Sequence, residues 1–337
     1  MTRPGGRPRR ARRRAWAELL RVTALFSVPG DALAGASAMG MRPNRGTALA
    51  IGSSLCLYEA GMALNDWADR DEDAVDRPER PIPSGRVTPP AALTASAALT
   101  ATGLALAARA GRGPLTVATA LAATVWAYDL RLKHTRAAPA AMATARALDL
   151  LLGATATATA PGAPARPATA SGPSAVAARH GTHRRWPAAG RREPGRRVPA
   201  AAALPSAALL GAHTYAVTAV SRHEVHGGST AAPLGALGAT ALLGAVASRA
   251  PAGTGGGHNL TATLTAAAYL RTAAVPLLHA ALNPSPPLTR RAVGGGIRAM
   301  IPLQAALAAR GGARCTGLTL MGLAPLARAL ARKVSPT

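Results

Sequence analysis

Long apolar segments alternate with short polar or basic segments through almost the whole chain. Thr47 to Leu64 is an example of these apolar segments. It has about 18 residues, which is near the minimum length for a helix that crosses a bilayer. The pattern predicts an all-α fold, a polytopic membrane bundle of about nine transmembrane helices. The predicted spans are Trp16 to Met41, Thr47 to Leu64, Ala91 to Ala108, Pro114 to Tyr128, Ala138 to Ala160, Ala201 to Val220, Ala231 to Ala247 and Leu264 to Leu282, followed by shorter segments at Ala299 to Ala309 and Thr316 to Leu330.

The first of these segments is the least regular. Trp16 to Met41 holds Glu18, Arg21 and Asp31, which favour a helix that lines the interior of the bundle. We expect this span to be broken near Pro29-Gly30.

The same pattern divides the chain into five parts. They are a basic tail (1–15), a first membrane half (16–160), a low-complexity segment (161–200), a second membrane half (201–331) and a short tail (332–337). Residues 161–200 are rich in Pro, Gly and Arg and are predicted to be disordered. Since Ala, Gly, Pro and Arg have GC-rich codons, one hypothesis is a locally shifted reading frame. Asn283 to Arg298 has a similar composition and is predicted to be a loop.

The formal charge of +25 would by itself favour a nucleic-acid partner. The arginines, however, cluster in loops between apolar segments, as in membrane proteins whose basic loops face the cytoplasm. Only 3% of the residues are aromatic, and the abundant Ala and Gly let membrane helices approach closely. We therefore expect an integral protein of a bacterial-type plasma membrane, in contact with the lipid bilayer and without a nucleic-acid partner.

Acidic residues are concentrated at the end of the second predicted span. The chain has 14 acidic residues, and seven of them fall between positions 66 and 79. Carboxylates at the end of a membrane helix are costly unless a cation compensates them. With the basic tail in the cytoplasm, the second span returns to the cytoplasmic face, and the acidic stretch is expected to lie there.

If the second span stays helical, Asp66, Asp69 and Asp73 lie on one stripe, within about 60° of one another, with Asn65 beside them. Oxygen ligands of this kind suit Mg²⁺, which binds through a few carboxylates and phosphate oxygens. A magnesium ion held in this way can bridge to a diphosphate and stabilise it as a leaving group. The cations expected to take the remaining phosphate charge are Arg70, Arg77, Arg131 and Lys133. Within the fifth span, Arg146 and Asp149 are three apart and are expected to pair.

These residues also match a family pattern. The run Asn65-Asp66-x-x-Asp69-x-x-x-Asp73, followed by Asp76-Arg77-Pro78-x-Arg80-Pro81-Ile82-Pro83-x-Gly85, resembles the first aspartate-rich motif of the UbiA-type intramembrane prenyltransferases. Tyr128-Asp129-x-x-x-Lys133 resembles the family's tyrosine-and-basic motif at the end of the fourth span. Arg146-x-x-Asp149 resembles an Arg-x-x-Asn element in the fifth. The resemblance covers residues 16–160 well and residues 201–330 loosely.

The resemblance implies a UbiA-like bundle whose active site opens to the cytoplasm. It implies that magnesium ions held by Asp66, Asp69 and Asp73 bind the diphosphate of a polyprenyl diphosphate. Loss of diphosphate would give an allylic cation that an unidentified acceptor attacks, with Lys133 among the catalytic groups. Tyr128 or Tyr215 would face the cation.

The second half departs from the family pattern. In place of a second Asp-x-x-x-Asp, the end of the sixth span reads Ser221-Arg222-His223-Glu224. Glu224 is expected to hold the second magnesium, alone or through water. Three alternatives stay open: a CDP-alcohol phosphotransferase, whose Asp-Gly and Ala-Arg pattern is missing here; an ion carrier; and a non-catalytic or impaired membrane protein.

Overall fold

The described part of the chain is built from helices. A computed structural model describes residues 6–21, 27–160, 200–249, 259–322 and 325. Residues 1–5 of the basic tail, most of the predicted low-complexity segment and the whole of the short tail (332–337) therefore lie outside the described residues. The helices are α1 (Gly6–Leu19), α2 (Val28–Ala38), α3 (Arg45–Ala68), α4 (Arg70–Asp76), α5 (Pro89–Ala110), α6 (Arg112–Ala127), α7 (Ala138–Thr159), α8 (Leu204–Ser221), α9 (Ala231–Ser248), α10 (Leu260–Leu282) and α11 (Pro286–Arg310). Residues 314–322 form a further helical segment.

Five of the described helical segments are long and apolar enough to cross a membrane. They are α3, α5, α9, α11 and the unit formed by α8 with the 3₁₀ turn Ala200–Ala203 that precedes it. The all-helical bundle is confirmed, whereas the count of nine spans stays a prediction.

The start of α3 is set by a capping box. The Asn44 side chain accepts a hydrogen bond from the Thr47 amide at 3.2 Å, and the Thr47 hydroxyl accepts one from the Asn44 amide at 3.0 Å. These bonds satisfy backbone donors that a helix start leaves unpaired. From this fixed start, the 24 residues of α3 extend for about 36 Å, longer than the apolar core of a bilayer.

The centre of the bundle depends on small residues. α2 packs against α3, α7 and α11. A Cβ added to Gly35 would collide with the α7 backbone at Leu150, and one added to Gly153 would collide with the α2 backbone at Ala32. The two helices therefore approach as closely as glycine allows, which is how membrane helices pack without large side chains.

Two predicted boundaries were wrong. α1 ends at Leu19 and α2 begins at Val28, so Pro29-Gly30 lies within the first turn of α2 and not at a break, because the amide that proline lacks has no helical partner in that turn. Asn283 to Arg298 is not a loop, since most of it belongs to α11. Pro286 again lies in the first turn of that helix, and the glycines that suggested a loop let α11 approach its neighbours. A Cβ on Gly295 would meet the Pro276 side chain at 2.9 Å.

Candidate active site

The acidic stretch forms the end of α3, the whole of α4 and the joint between them. Asp69 is the joint residue, with φ −90° and ψ 5°, so the helix is not continuous here. The Asp69 amide still donates to the Asn65 carbonyl at 2.9 Å, and the Asp73 amide donates to the Asp69 carbonyl at 2.7 Å. The helical direction is thereby kept across the joint. Asp66 and Asp73 are both buried.

One arginine bridges the two buried aspartates. A terminal nitrogen of Arg80 lies 2.6 Å from Asp73 and 3.4 Å from Asp66. Arg21 adds a second contact to Asp66 at 3.1 Å, and Arg77 lies 3.6 Å from Asp73. The predicted stripe of carboxylates is therefore present, and it is compensated by guanidinium groups that lie around it.

Asp69 is held by a different set of partners. The Asn65 side-chain amide donates to one of its oxygens at 2.5 Å, and the Lys133 ammonium forms an ion pair with the other. His134 lies 4.0 Å from the oxygen that Lys133 contacts. A π-helical turn, Tyr128–Leu132, follows α6 and places Lys133 against Asp69. Such turns are rare and are frequently found at functional sites.

The same turn buries a fourth carboxyl group, Asp129, which is 5% exposed. Burial raises its pKa to about 7, an effect that Lys133 partly offsets and Asp69 reinforces. Burial also raises the pKa of Tyr128, and both carboxylates add to that shift. We call Asp66, Asp69, Asp73 and Asp129 the acidic cluster.

A second polar group lies deeper in the bundle. Arg146 on α7 forms its ion pair at 2.5 Å with Asp31 on α2, so the expected pair with Asp149 was wrong. Asp149 accepts a hydrogen bond from Ser54 on α3 instead. Gln304 on α11 donates to Asp31 at 2.7 Å, which ties four helices together. We call these five residues the deep network.

Other predicted site residues lie nearby but play different roles in the structure. Arg70 donates to the Trp67 carbonyl at 3.0 Å, stacks over the Trp67 ring and pairs with Asp71, so it turns away from the acidic cluster. Arg131 is exposed. Tyr215 on α8 is 49% exposed.

Glu224 lies just beyond α8 and is half-buried. Burial raises its pKa, while the positive charges of Arg290 and Arg77 lower it. Arg77 therefore lies within electrostatic reach of both Glu224 and Asp73, which places the turn after α8 near the acidic cluster.

The donor set fits a hard divalent cation. The acidic cluster consists of carboxylates, and carboxylate oxygens are ligands that Mg²⁺ takes. Among the residues the structure describes, the one group of three whose ligand atoms lie within 4.8 Å of one another is Asp69, Glu72 and His134. That group shares only Asp69 with the predicted ligands. The other predicted carboxylates face arginines, which a bound cation would have to replace.

Sequence reasoning missed several groups of this site. Arg21, Asp129 and Arg80 contribute to the acidic cluster, and Asp31 and Gln304 contribute to the deep network. Charged residues inside an apolar segment were the available signal for Arg21 and Asp31. Nothing local marks Gln304.

Fold and site together define a class of protein: a membrane-embedded helical bundle with a cluster of carboxylates, arginines and a lysine at one end. The chain belongs to the UbiA prenyltransferase family, whose pattern matches residues 24–252. The protein is accordingly an integral membrane protein.

Comparisons with individual proteins agree with this assignment. The chain is 37% identical over 127 residues to a digeranylgeranylglyceryl phosphate synthase of Methanopyrus kandleri, an alignment that covers 36% of this chain and 45% of that relative. The matched segment thus spans less than half the length of this curated relative.

The fold is shared with solved structures of the family. A UbiA homolog from Aeropyrum pernix K1 has a TM-score of 0.57 at 17% identity, covering 84% of this chain and 96% of that chain. A UbiA homolog from Archaeoglobus fulgidus, solved with GPP and Mg²⁺, has a TM-score of 0.56 at 18% identity, covering 89% of this chain and 99% of that chain.

Proposed function

We propose that this protein transfers a polyprenyl group from a polyprenyl diphosphate to an acceptor, in a reaction that depends on magnesium. The observation that carries the proposal is the acidic cluster, in which buried Asp66 and Asp73 share Arg80 while Asp69 holds Lys133. Carboxylates bind magnesium, and arginine and lysine side chains bind phosphate oxygens. A site in which both kinds of side chain alternate therefore suits a magnesium–diphosphate complex. The GPP and Mg²⁺ bound to the Archaeoglobus homolog support this assignment.

Asp66, Asp69 and Asp73 are the residues that would hold magnesium, with Glu224 contributing from the second half. When bound, magnesium supplies positive charge that stabilises diphosphate as a leaving group. The metal assignment stays a prediction for each of these residues.

The cations of the site would bind the phosphate oxygens. Arg21, Arg77, Arg80 and Lys133 already converge on the acidic cluster, so a diphosphate seated there would meet them from several sides. Charge-assisted hydrogen bonds to phosphate are among the strongest in proteins. Tyr128 lies in the turn next to Asp129 and would present its ring to the allylic cation as diphosphate leaves.

We place the acidic cluster at the cytoplasmic face of a bacterial-type plasma membrane. The arginine-rich helix α1 packs at this end of the bundle, since Ala15 and Leu19 are buried with Ala63 of α3. The loop that carries Arg131 and Lys133 ends there too. An excess of basic residues at one end indicates the cytoplasmic side.

The test is diphosphate release by purified protein in detergent or nanodiscs, with magnesium and a series of polyprenyl diphosphates. Asp69→Asn and Asp73→Asn should abolish release. Asp71→Asn is the matched control, because the Asp71 side chain is 87% exposed and pairs only with Arg70 among the described residues. Equal release by all three variants, or release that persists in excess EDTA, would refute the metal assignment.

A further inference from the structure

Glu59 is a buried carboxyl group that the proposed chemistry does not use. It lies in α3, is 8% exposed, and neither of its oxygens has a hydrogen-bond partner among the residues that the structure describes. Other buried carboxylates of the bundle differ: Asp31 is bound by Arg146 and Gln304, and Asp149 by Ser54. An ionisable residue inside a membrane span with no partner is a candidate functional group.

Helix geometry relates Glu59 to the acidic cluster. Asp66 follows Glu59 by seven residues in the same helix, so the two side chains point within about 20° of each other. Glu59 lies about 10 Å further along the axis, away from the end of the bundle that holds the cluster. In a donor whose diphosphate lies at Asp66, a reacting carbon that points along α3 into the bundle would lie on the Glu59 side of the cluster, where an acceptor would have to bind.

The charges around Glu59 itself restrict that head group. Among the described residues, no cation forms an ion pair with Glu59. Two cations elsewhere in the bundle are already matched, Arg146 by Asp31 and Arg21 by Asp66. An anionic head group placed against Glu59 would meet a carboxyl group that has no counter-charge of its own, at a large desolvation cost.

When it is protonated, a carboxyl group that has no cation beside it offers one hydrogen-bond donor and one acceptor. Both would be satisfied by an alcohol or phenol. Leaving them unmet in a buried site is costly, because the desolvation of both groups is then not compensated. Resting on the proposed function, we infer that Glu59 binds the acceptor, and that the acceptor presents an uncharged hydroxyl group to it.

The experiment uses full-length protein in nanodiscs and dicyclohexylcarbodiimide, an apolar reagent that modifies protonated carboxyl groups. Labelling is located by mass spectrometry, with Glu59→Gln as the control that removes the target. Two probes share one skeleton: a prenylglyceryl ether with free hydroxyl groups, and the phosphate ester of that ether. At about ten times its Kd, a probe that occupies the site should slow labelling about tenfold.

We expect Glu59 to be labelled, the ether to protect it, and the ester to leave labelling unchanged. The ether should also raise the unfolding temperature of wild type and Glu59→Gln but not of Glu59→Leu. Absence of labelling, absence of protection by the ether, protection by the ester, or equal stabilisation of all three proteins would each overturn the inference. None of these readouts needs turnover, so they are independent of the diphosphate-release assay that tests the proposed function.

Discussion

Arg80 offers the most direct test of the acidic cluster, because a single nitrogen of its guanidinium contacts both Asp73 and Asp66. The side chains of both aspartates are 5% exposed, so neither can turn into water when its partner is lost. Arg80→Met keeps the side-chain length and removes the charge. The two carboxylates then face each other with Arg21 and Arg77 as their remaining partners.

The size of the effect follows from the distances. One nitrogen of Arg80 lies 2.6 Å from Asp73 and 3.4 Å from Asp66, so these carboxylate oxygens are at most about 6 Å apart. At that separation two carboxylates repel each other by about 3 kcal/mol at an effective dielectric constant of about 20. The Arg80 side chain is 21% exposed and Arg21 remains in place, so we expect a loss of about 1–2 kcal/mol in unfolding free energy without metal. The same repulsion favours a divalent cation between the carboxylates, and about 1.4 kcal/mol corresponds to a tenfold gain in magnesium affinity.

The assay is thermal unfolding of detergent-solubilised protein across a magnesium titration. In EDTA, Arg80→Met should unfold at a lower temperature than wild type. In the titration, the magnesium concentration that gives half of the stabilisation should be about tenfold lower for Arg80→Met than for wild type. Arg86→Met is the control, since Arg86 pairs with Glu18 at 2.7 Å and not with the acidic cluster. Identical magnesium midpoints in wild type and Arg80→Met would show that these carboxylates do not bind the metal.

Three further outcomes follow from the ion pairs and from burial. Lys133→Met should raise the KM for the donor and Lys133→Arg should raise it less, because the pair with Asp69 marks where a phosphate would bind; equal KM values would contradict this. Arg146→Met should cost about 3–5 kcal/mol of stability by leaving the buried Asp31 charge without a cation, and Asp31→Asn in the same chain should recover most of it; additive losses would count against the pairing. Because burial raises the pKa of Asp129 from 3.8 to about 7, the folded protein keeps a proton that the unfolded chain has released, so unfolding free energy should fall as pH rises from about 4 to 7. Asp129→Asn should flatten that slope, and a slope of unchanged size would refute the assignment.

The sequence predicts this site well where the information is local. The apolar run of α3 ends within a few residues of its predicted boundary, and Asp66, Asp69 and Asp73 occupy one end of the bundle as helical periodicity requires. The joint at Asp69 was not foreseen, since its geometry depends on Asn65 and Lys133 rather than on a proline or glycine.

The sequence does not predict the ion-pair and hydrogen-bond partners that come from distant helices. Arg21 and Asp66 are 45 residues apart, Asp31 and Arg146 are 115 apart, and Gln304 is 273 residues from Asp31. Periodicity says which face of a helix is apolar, but not which helix lies against that face. The expected pairing of Arg146 with Asp149 failed for this reason: the spacing allowed it, and α2 supplied a closer carboxylate.

The pairing within the acidic cluster has a consequence for how substrate binds. Arg21, Arg80 and Lys133 are paired with carboxylates in the structure, and they would turn fully to phosphate only if another cation took their place. The carboxylates, in turn, lose their compensation if those side chains move to a diphosphate. If magnesium replaces the arginines and lysine at the carboxylates while diphosphate replaces the carboxylates at those side chains, every charge keeps a partner. This matters because water cannot freely hydrate the buried charges of the site. Magnesium and diphosphate should therefore strengthen each other's binding by the same factor, as linkage requires. The ion pairs that stabilise the acidic cluster in the structure are therefore the same ones that would separate when magnesium and diphosphate bind.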